Sequence, residues 1–145
     1  MTVDGRVVAL GTQATIVSGT ARSCGLGAIP LSTATPTGSA LPYTVLYDLG
    51  QTPSGAPFGD PASEAAVLVQ VTSYASTADI ALATADKVRR AFLQRNAADT
   101  DWAFPITLTG YKVIGRESDR EDGLGLSGSN YSYVQRFKLH VSTSS

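Results

Sequence analysis

The sequence predicts an α+β fold: a two-layer sandwich of about four antiparallel strands, two helices on one face and long loops at the hairpin tips. Three observations carry this expectation. Val67 to Tyr74 alternates cleanly, with Val67, Val69 and Val71 on one side and Gln70 and Thr72 on the other, as a strand with one buried face requires. The period then changes: Ala81, Ala85, Val88 and Phe92 recur at helical spacing, so the strand turns directly into an amphipathic helix. Further alternating runs, bounded by Gly, Pro and Ser, lie on both sides of this unit.

Length and composition suit a single domain over residues 1–145. The chain has 145 residues, 43% of them hydrophobic, enough for a core of its own. Its longest unbroken apolar run, Ala65 to Val69, is far too short to span a bilayer. Net charge is −1 and the pI about 5.7, so no global field draws the chain to nucleic acid or lipid. Only 16% of residues are charged, so Ser and Thr, 31 together, supply much of the polar surface. A single cysteine, Cys24, excludes an internal disulfide framework. The start, MTVDGRVVAL, lacks the basic and apolar regions of a signal peptide, which points to synthesis in the cytoplasm.

In chain order, Val3, Val7, Leu10, Ala14 and Val17 fall on one helical face and predict a helix over 3–17. Gly5, Gly11 and the β-branched residues weaken it and leave a strand over Arg6–Leu10 as the alternative. Residues 18–42, broken by Pro30, Pro36 and Pro42, read as a long loop with one short edge strand. Tyr43, Val45, Tyr47 and Leu49 share the face of a strand over Tyr43–Leu49. Residues 50–64, with three prolines, read as an extended hairpin connection into the Val67–Tyr74 strand. Ser76 followed by Asp79 supplies a hydroxyl cap and a first-turn acid for the helix. On that helix Leu82 and Leu93 widen the apolar stripe, Asp79, Asp86, Lys87, Arg90 and Gln94 face away, and Asp86 and Arg90 are spaced to pair. The polar Asn96–Asp101 ends it. Ile106–Ile114 reads as a third strand, residues 115–130 as a charged, glycine-rich third loop, and Tyr131–Val141 as a fourth strand. In the last, Tyr131, Tyr133, Phe137, Leu139 and Val141 face the core while Arg136, Lys138 and His140 face out. The final STSS reads as a frayed tail.

No catalytic constellation emerges. Gly123-Leu124-Gly125-Leu126-Ser127-Gly128 matches G-x-G-x-x-G, but a charged loop precedes it and a strand-like run follows. The phosphate-binding mechanism needs a strand before and a helix N-terminus after, so a hairpin tip is the better reading. His140 is the only histidine and lies on the polar face of the last strand, where a surface role outweighs a catalytic one. Cys24 has no histidine near it in sequence and reads as a small apolar or free thiol. Asp119, Glu121 and Asp122 could meet a hard cation, but they lack calcium-loop spacing and Arg116 and Arg120 offset them, so a solvated acidic loop is preferred. Asn130-Tyr131-Ser132 fits a glycosylation sequon, without weight in the absence of a secretory signal. Trp102 reads as a packing anchor. Arg89, Arg90 and Arg95 cluster without the interleaved aromatics of a nucleic-acid surface. The balance favours a non-enzymatic interaction protein with no cofactor or metal, whose hairpin tips contact neighbouring copies or partners.

The ordered set of motifs resembles the tail terminator family (tail completion, minor tail protein U-like) of long-tailed phages, in the form found in phages of actinobacteria. The resemblance rests on the N-terminal helix, then Leu41-Pro42-Tyr43-Thr44-Val45-Leu46-Tyr47, then the spacer from Ser54-Gly55 to Asp60-Pro61. Val69-Gln70-Val71-Thr72-Ser73, the helix from Ala81 to Ala91, Asp99-Thr100-Asp101-Trp102 and the closing Tyr131–Val141 strand complete it, so it covers nearly the whole chain. The chain departs from the pattern in carrying Ala81 and Leu82 where a bulky aromatic is usual. The resemblance implies a virion protein assembled as a ring, a hexamer. Such a ring caps the head-proximal end of the tail tube, ends tube polymerisation and docks head-completion or connector proteins, while DNA passes through unread. On this reading the loops at 50–64 and 115–130 make the contacts, through Phe58, Asp60, Arg116, Glu117, Asp119, Arg120, Glu121 and Asp122. Another neck component, a head–tail connector or head-completion protein, is the nearer alternative; a small ligand-binding α+β domain is the distant one.

Overall fold

The computed structural model describes residues 4–22, 24–27, 42–53, 64–128 and 130–143. The elements are α1 (Gly5–Thr20), β1 (Cys24–Leu26), β2 (Tyr43–Pro53), β3 (Glu64–Ala75), α2 (Ala78–Leu93), β4 (Tyr111–Ser127) and β5 (Asn130–Thr143). The α+β class holds, with both predicted helices present. The sheet is five-stranded and mixed rather than four-stranded and antiparallel: its order is β1-β2-β3-β5-β4, and the short β1 runs parallel to β2. β1 is the edge strand expected within 18–42. The β2–β3 and β4–β5 pairs are antiparallel hairpins. Each helix packs on the sheet and on the other, α1 over β1 and β2, α2 over β3, β5 and β4.

Between helices and sheet lies the core. Val67, Val69 and Val71 of β3 meet Phe137, Leu139 and Val141 of β5, as their alternation predicts. Val88 and Phe92 close it from α2, with Phe92 stacked on Phe137 at 4.1 Å between ring centroids. Val8 and Ile16 enter from α1 and Leu46 from β2, all fully buried. On the far face of the sheet the rings of Tyr43 and Tyr74, a cross-strand pair of β2 and β3, lie tilted against each other with centroids 5.4 Å apart.

α1 forms where the spacing places it but buries a different face. Of the predicted stripe, Val3 lies outside the described residues and Val7, Leu10, Ala14 and Val17 are largely exposed, while Val8, Ala9, Thr12, Thr15, Ile16 and Thr20 are buried. Three of those six are threonines, and each turns its hydroxyl back onto its own helix. Thr12 Oγ1 donates to Val8 O at 2.7 Å, Thr15 to Gly11 O at 3.1 Å and Thr20 to Ile16 O at 2.8 Å. Satisfied in this way, a hydroxyl can be buried and its γ-methyl can pack. Two glycines let neighbours come close. A Cβ on Gly11 would stand 2.4 Å from Leu108 Cδ2, and one on Gly19 2.5 Å from the Ala91 Cβ. Asp4 caps the helix, accepting from the Arg6 amide at 3.0 Å.

α2 follows its pattern more closely, burying Ala81, Thr84, Ala85, Val88, Ala91 and Phe92. Three details differ from expectation. The cap is Thr77, whose side chain accepts from the Ile80 amide at 3.2 Å, not Ser76. Asp86 pairs with Arg89 at 2.6 Å rather than with Arg90, because Arg89 lies on the side of the helix that overhangs β4. Leu82 is exposed, since the stripe is too narrow to carry it into the core.

The third strand is displaced. Ile106 and Leu108 lie outside the sheet and pack against α1, so their apolar alternation reports burial without strand pairing. β4 begins at Tyr111 and continues through most of the predicted third loop, reaching Ser127. Its register with β5 shifts at Val113/Gly115, Ser118/Arg120 and Glu121/Gly123. Each bulge adds a residue and reverses the alternation, so a continuous strand carries no continuous period-two signal. The hairpin closes tightly, Ser127 pairing with Asn130 and Gly128 adopting φ +63°.

Candidate interaction surface

The charged stretch predicted as a loop is a β-ribbon, and its pleat divides the residues between two faces. Glu117 and Arg120 stand opposite Lys138 and Arg136, on the face away from the helices. Arg116 and Glu121 stand opposite Leu139 and Gln135, on the helix side. Asp119 and Asp122 occupy bulges. Phe58 and Asp60 lie outside the described residues.

Arg116 belongs to the fold. It is 9% exposed, and its Nη1 donates to the carbonyl oxygens of Phe92 at 3.2 Å and Ala91 at 3.4 Å, in the last turn of α2. Its guanidinium lies over Trp102, 4.8 Å from the ring centroid, and Arg95 covers the same ring at 4.9 Å. Burial lowers the Arg116 pKa to about 10, against the opposing influence of Asp101. Trp102 thus packs against two arginine guanidiniums, in keeping with the anchor role expected of it. Arg95 also reaches Asp99 at 3.2 Å and braces the turn that follows α2.

Glu121 ties three elements together. It accepts from Arg89 of α2 at 2.6 Å and from the buried Gln135 of β5 at 2.7 Å. Gln135 in turn donates to the Ala85 carbonyl at 3.2 Å. Burial alone would raise the Glu121 pKa, but the hydrogen bonds from Gln135 and Arg89 and the charge of Arg89 outweigh it, and the net shift is downward. On the outer face Glu117 lies 3.2 Å from His140 and 4.0 Å from Lys138, while Arg120 and Asp122 pair at 2.5 Å. His140 is thus a surface residue within hydrogen-bonding distance of Glu117.

The acids of the ribbon diverge, and among the described residues no group of three or more His, Cys, Asp or Glu is placed to hold a metal. The G-x-G-x-x-G run is the last part of β4 and its turn, with no helix behind it. Cys24 is buried in β1; burial raises its pKa, against weaker opposing hydrogen bonds from Thr44 and Leu46, which keeps it a thiol. No helix among the described residues is long and apolar enough to cross a membrane.

The structure adds apolar features at both edges of the sheet. At the β4 edge Leu82, Leu124 and Leu126 are 45%, 43% and 67% exposed. At the β1 edge a cleft of about 380 Å³ opens between α1, β1 and β2, with Ala9, Leu26, Leu46 and Tyr47 as its apolar lining and Arg6 and Asp48 on its polar side. Neither was legible in advance. Leu124 and Leu126 stand in a glycine-rich run that reads as a turn, and the cleft brings together segments whose adjacency only the topology reveals. Comparison with protein-family models finds no match, and comparison with curated proteins finds none.

Proposed function

We propose that this chain is a structural virion protein, a tail terminator. On this reading it forms a ring, a hexamer, that caps the head-proximal end of a phage tail tube, ends tube polymerisation and presents a surface to head-completion or connector proteins. It is made in the host cytoplasm and resides in the virion, without cofactor or enzymatic activity. The observation that supports this best is the exposure of large apolar side chains at both free edges of the sheet, beside a mixed-charge ribbon. Exposed apolar surface at two separate places is what a subunit with two different neighbours needs. The ordered motifs of the tail terminator family add to it. A net charge of −1 suits a channel that lets DNA pass without gripping phosphate. Among the proposed contact residues, Glu117, Asp119, Arg120 and Asp122 offer charged groups on the ribbon, whereas Arg116 and Glu121 are committed to holding α2.

The test is to mix the purified protein with its tail tube protein and image the mixture by negative-stain electron microscopy. Tubes of limited length capped at one end are expected. Uncapped tubes with the protein unattached would remove the terminator reading; binding to a portal-side adaptor instead would establish the neck-component alternative.

A further inference from the structure

Independently of the terminator reading, we infer that the sheet face turned away from the helices carries a docking site for an acidic, apolar segment of a partner polypeptide. Arg136 takes a carboxylate of that segment, and the groove beside it, walled by Leu49, Ala66 and Leu68, takes an apolar side chain.

The arginine is the first support. Arg136 of β5 lies in the interior of the sheet, flanked by Gln70 of β3 and Arg120 of β4. Like charges directly opposite each other on two strands repel, so the Arg120–Arg136 pairing costs the fold stability. Asp122 offsets Arg120 through an ion pair at 2.5 Å. Arg136 has no such compensation. It is half-buried, its Nε is buried without a hydrogen-bond partner, and among the described residues no carboxylate pairs with its guanidinium. Gln70 turns its amide to Thr72 instead, donating to Oγ1 at 3.4 Å. A cation drawn partly out of water and left unpaired carries a penalty that a bound anion removes. The planar fork of donors on a guanidinium matches a carboxylate.

The adjoining surface is the second. Lys138 follows Arg136 on the same face, about 7 Å further along β5. There it borders a groove of about 500 Å³ that Leu49, Thr52, Ala66, Leu68 and Asp119 also line. Leu49 is 41% exposed and Leu68 half-buried, so the groove offers apolar surface next to an uncompensated charge. Charge pattern selects the class of partner. Glu117 beside Lys138, Asp119 in the groove and Asp122 on Arg120 interleave carboxylates with the cations. A nucleic acid would bring a row of phosphates against all of them. A polypeptide can bring a single carboxylate to Arg136 and lay an apolar side chain in the groove.

The test uses the full chain and a capped peptide, acetyl-Leu-Glu-Leu-Glu-Leu-amide, followed by NMR of arginine side-chain and leucine methyl groups. The Arg136 Nε–H and Leu68 methyl resonances should move on titration, and the same peptide with glutamine for glutamate should leave them in place. Arg136→Met keeps the aliphatic stem and removes the guanidinium; it should weaken binding at least about fivefold, as should Leu49→Asp in the groove. Without peptide, Arg136→Met should leave the thermal midpoint unchanged or raise it. A fall of more than about 3 °C would show that the guanidinium serves the fold and would overturn the inference. Equal shifts with the glutamine peptide, or none with the acidic one, would overturn it too. A single-stranded DNA oligonucleotide that binds more tightly than the acidic peptide, and loses that binding in Arg136→Met, would replace the polypeptide by nucleic acid.

Discussion

The two helices have the same length, sixteen residues, and pack on the same sheet, yet they bury themselves by different chemistry. α2 inserts alanine, valine and phenylalanine, and its apolar stripe is its buried face. α1 inserts threonines and lies on glycines, and its most regular apolar stripe faces solvent. The difference teaches that a helical face is selected by what can be desolvated, not by hydropathy alone. A threonine bonded to the carbonyl one turn back has discharged its hydroxyl and packs as a small branched residue. A glycine contributes distance instead of area: at Gly19 it lets α1 close onto Ala91 of α2.

Substitutions can sharpen or break this contrast. The largest effect belongs to α2. Phe92→Ala removes a fully buried ring stacked on Phe137 and should cost about 3–5 kcal/mol in chemical denaturation. In α1 the telling change is Gly19→Ala. In an exposed helix interior it would stabilise by about 1 kcal/mol. Here the new methyl meets the Ala91 Cβ at 2.5 Å and the Ala91 Cα at 3.2 Å, so a loss of about 1–3 kcal/mol is expected; a stabilised variant would show that the helices separate freely.

Acid should act on the α2 side. The folded pKa of Glu121 lies below its ordinary value, so its contribution is present above the unfolded pKa and is lost as pH falls through the folded one. The wild-type denaturation midpoint should therefore fall further between neutral pH and the acid range than that of Glu121→Gln. Parallel curves would deny Glu121 this role.

Smaller still is the threonine test. Thr12→Val in α1 and Thr84→Val in α2 each delete a hydroxyl bonded to the carbonyl one turn back, at 2.7 and 2.8 Å. Both should change stability by no more than about 1 kcal/mol, because the shape is kept and no partner is left stranded. A markedly larger loss at Thr12 would mean its hydroxyl positions α1 rather than merely satisfying itself. Smallest of all, Leu10→Ser on the exposed stripe of α1 should alter thermal stability by within about 0.5 kcal/mol.

Much of the architecture was legible because much of it alternates simply. Val67–Val71 and Phe137–Val141 pair without interruption, and one face of each is core. α2 was legible for the same reason. The legibility fails where a second requirement scrambles the period. In β4 three bulges each shift the parity, so Arg116 and Glu121 fall on the helix side although neither is hydrophobic. At Ile106 and Leu108 burial under α1 mimics a strand. In α1 the buried face is polar by composition. Of the contact residues expected on the ribbon, the sequence located the charge but not its direction, because direction depends on bulge positions. The leucines at the two sheet edges were hidden for another reason: an exposed leucine and a buried one look alike until the surface is known.

The three bulges of β4 have a consequence for the protein as a solute. β4 is a seventeen-residue strand at the open edge of a sheet, the length of backbone on which another chain could add itself and begin a fibril. Its register changes three times within eleven residues, from Val113 to Gly123, and charged residues occupy most of that span. A straight incoming strand can match only a few residues before its hydrogen bonds fall out of step, and it must also desolvate charge. A chain with such an edge can therefore be present at high concentration with little tendency to seed aggregates along β4.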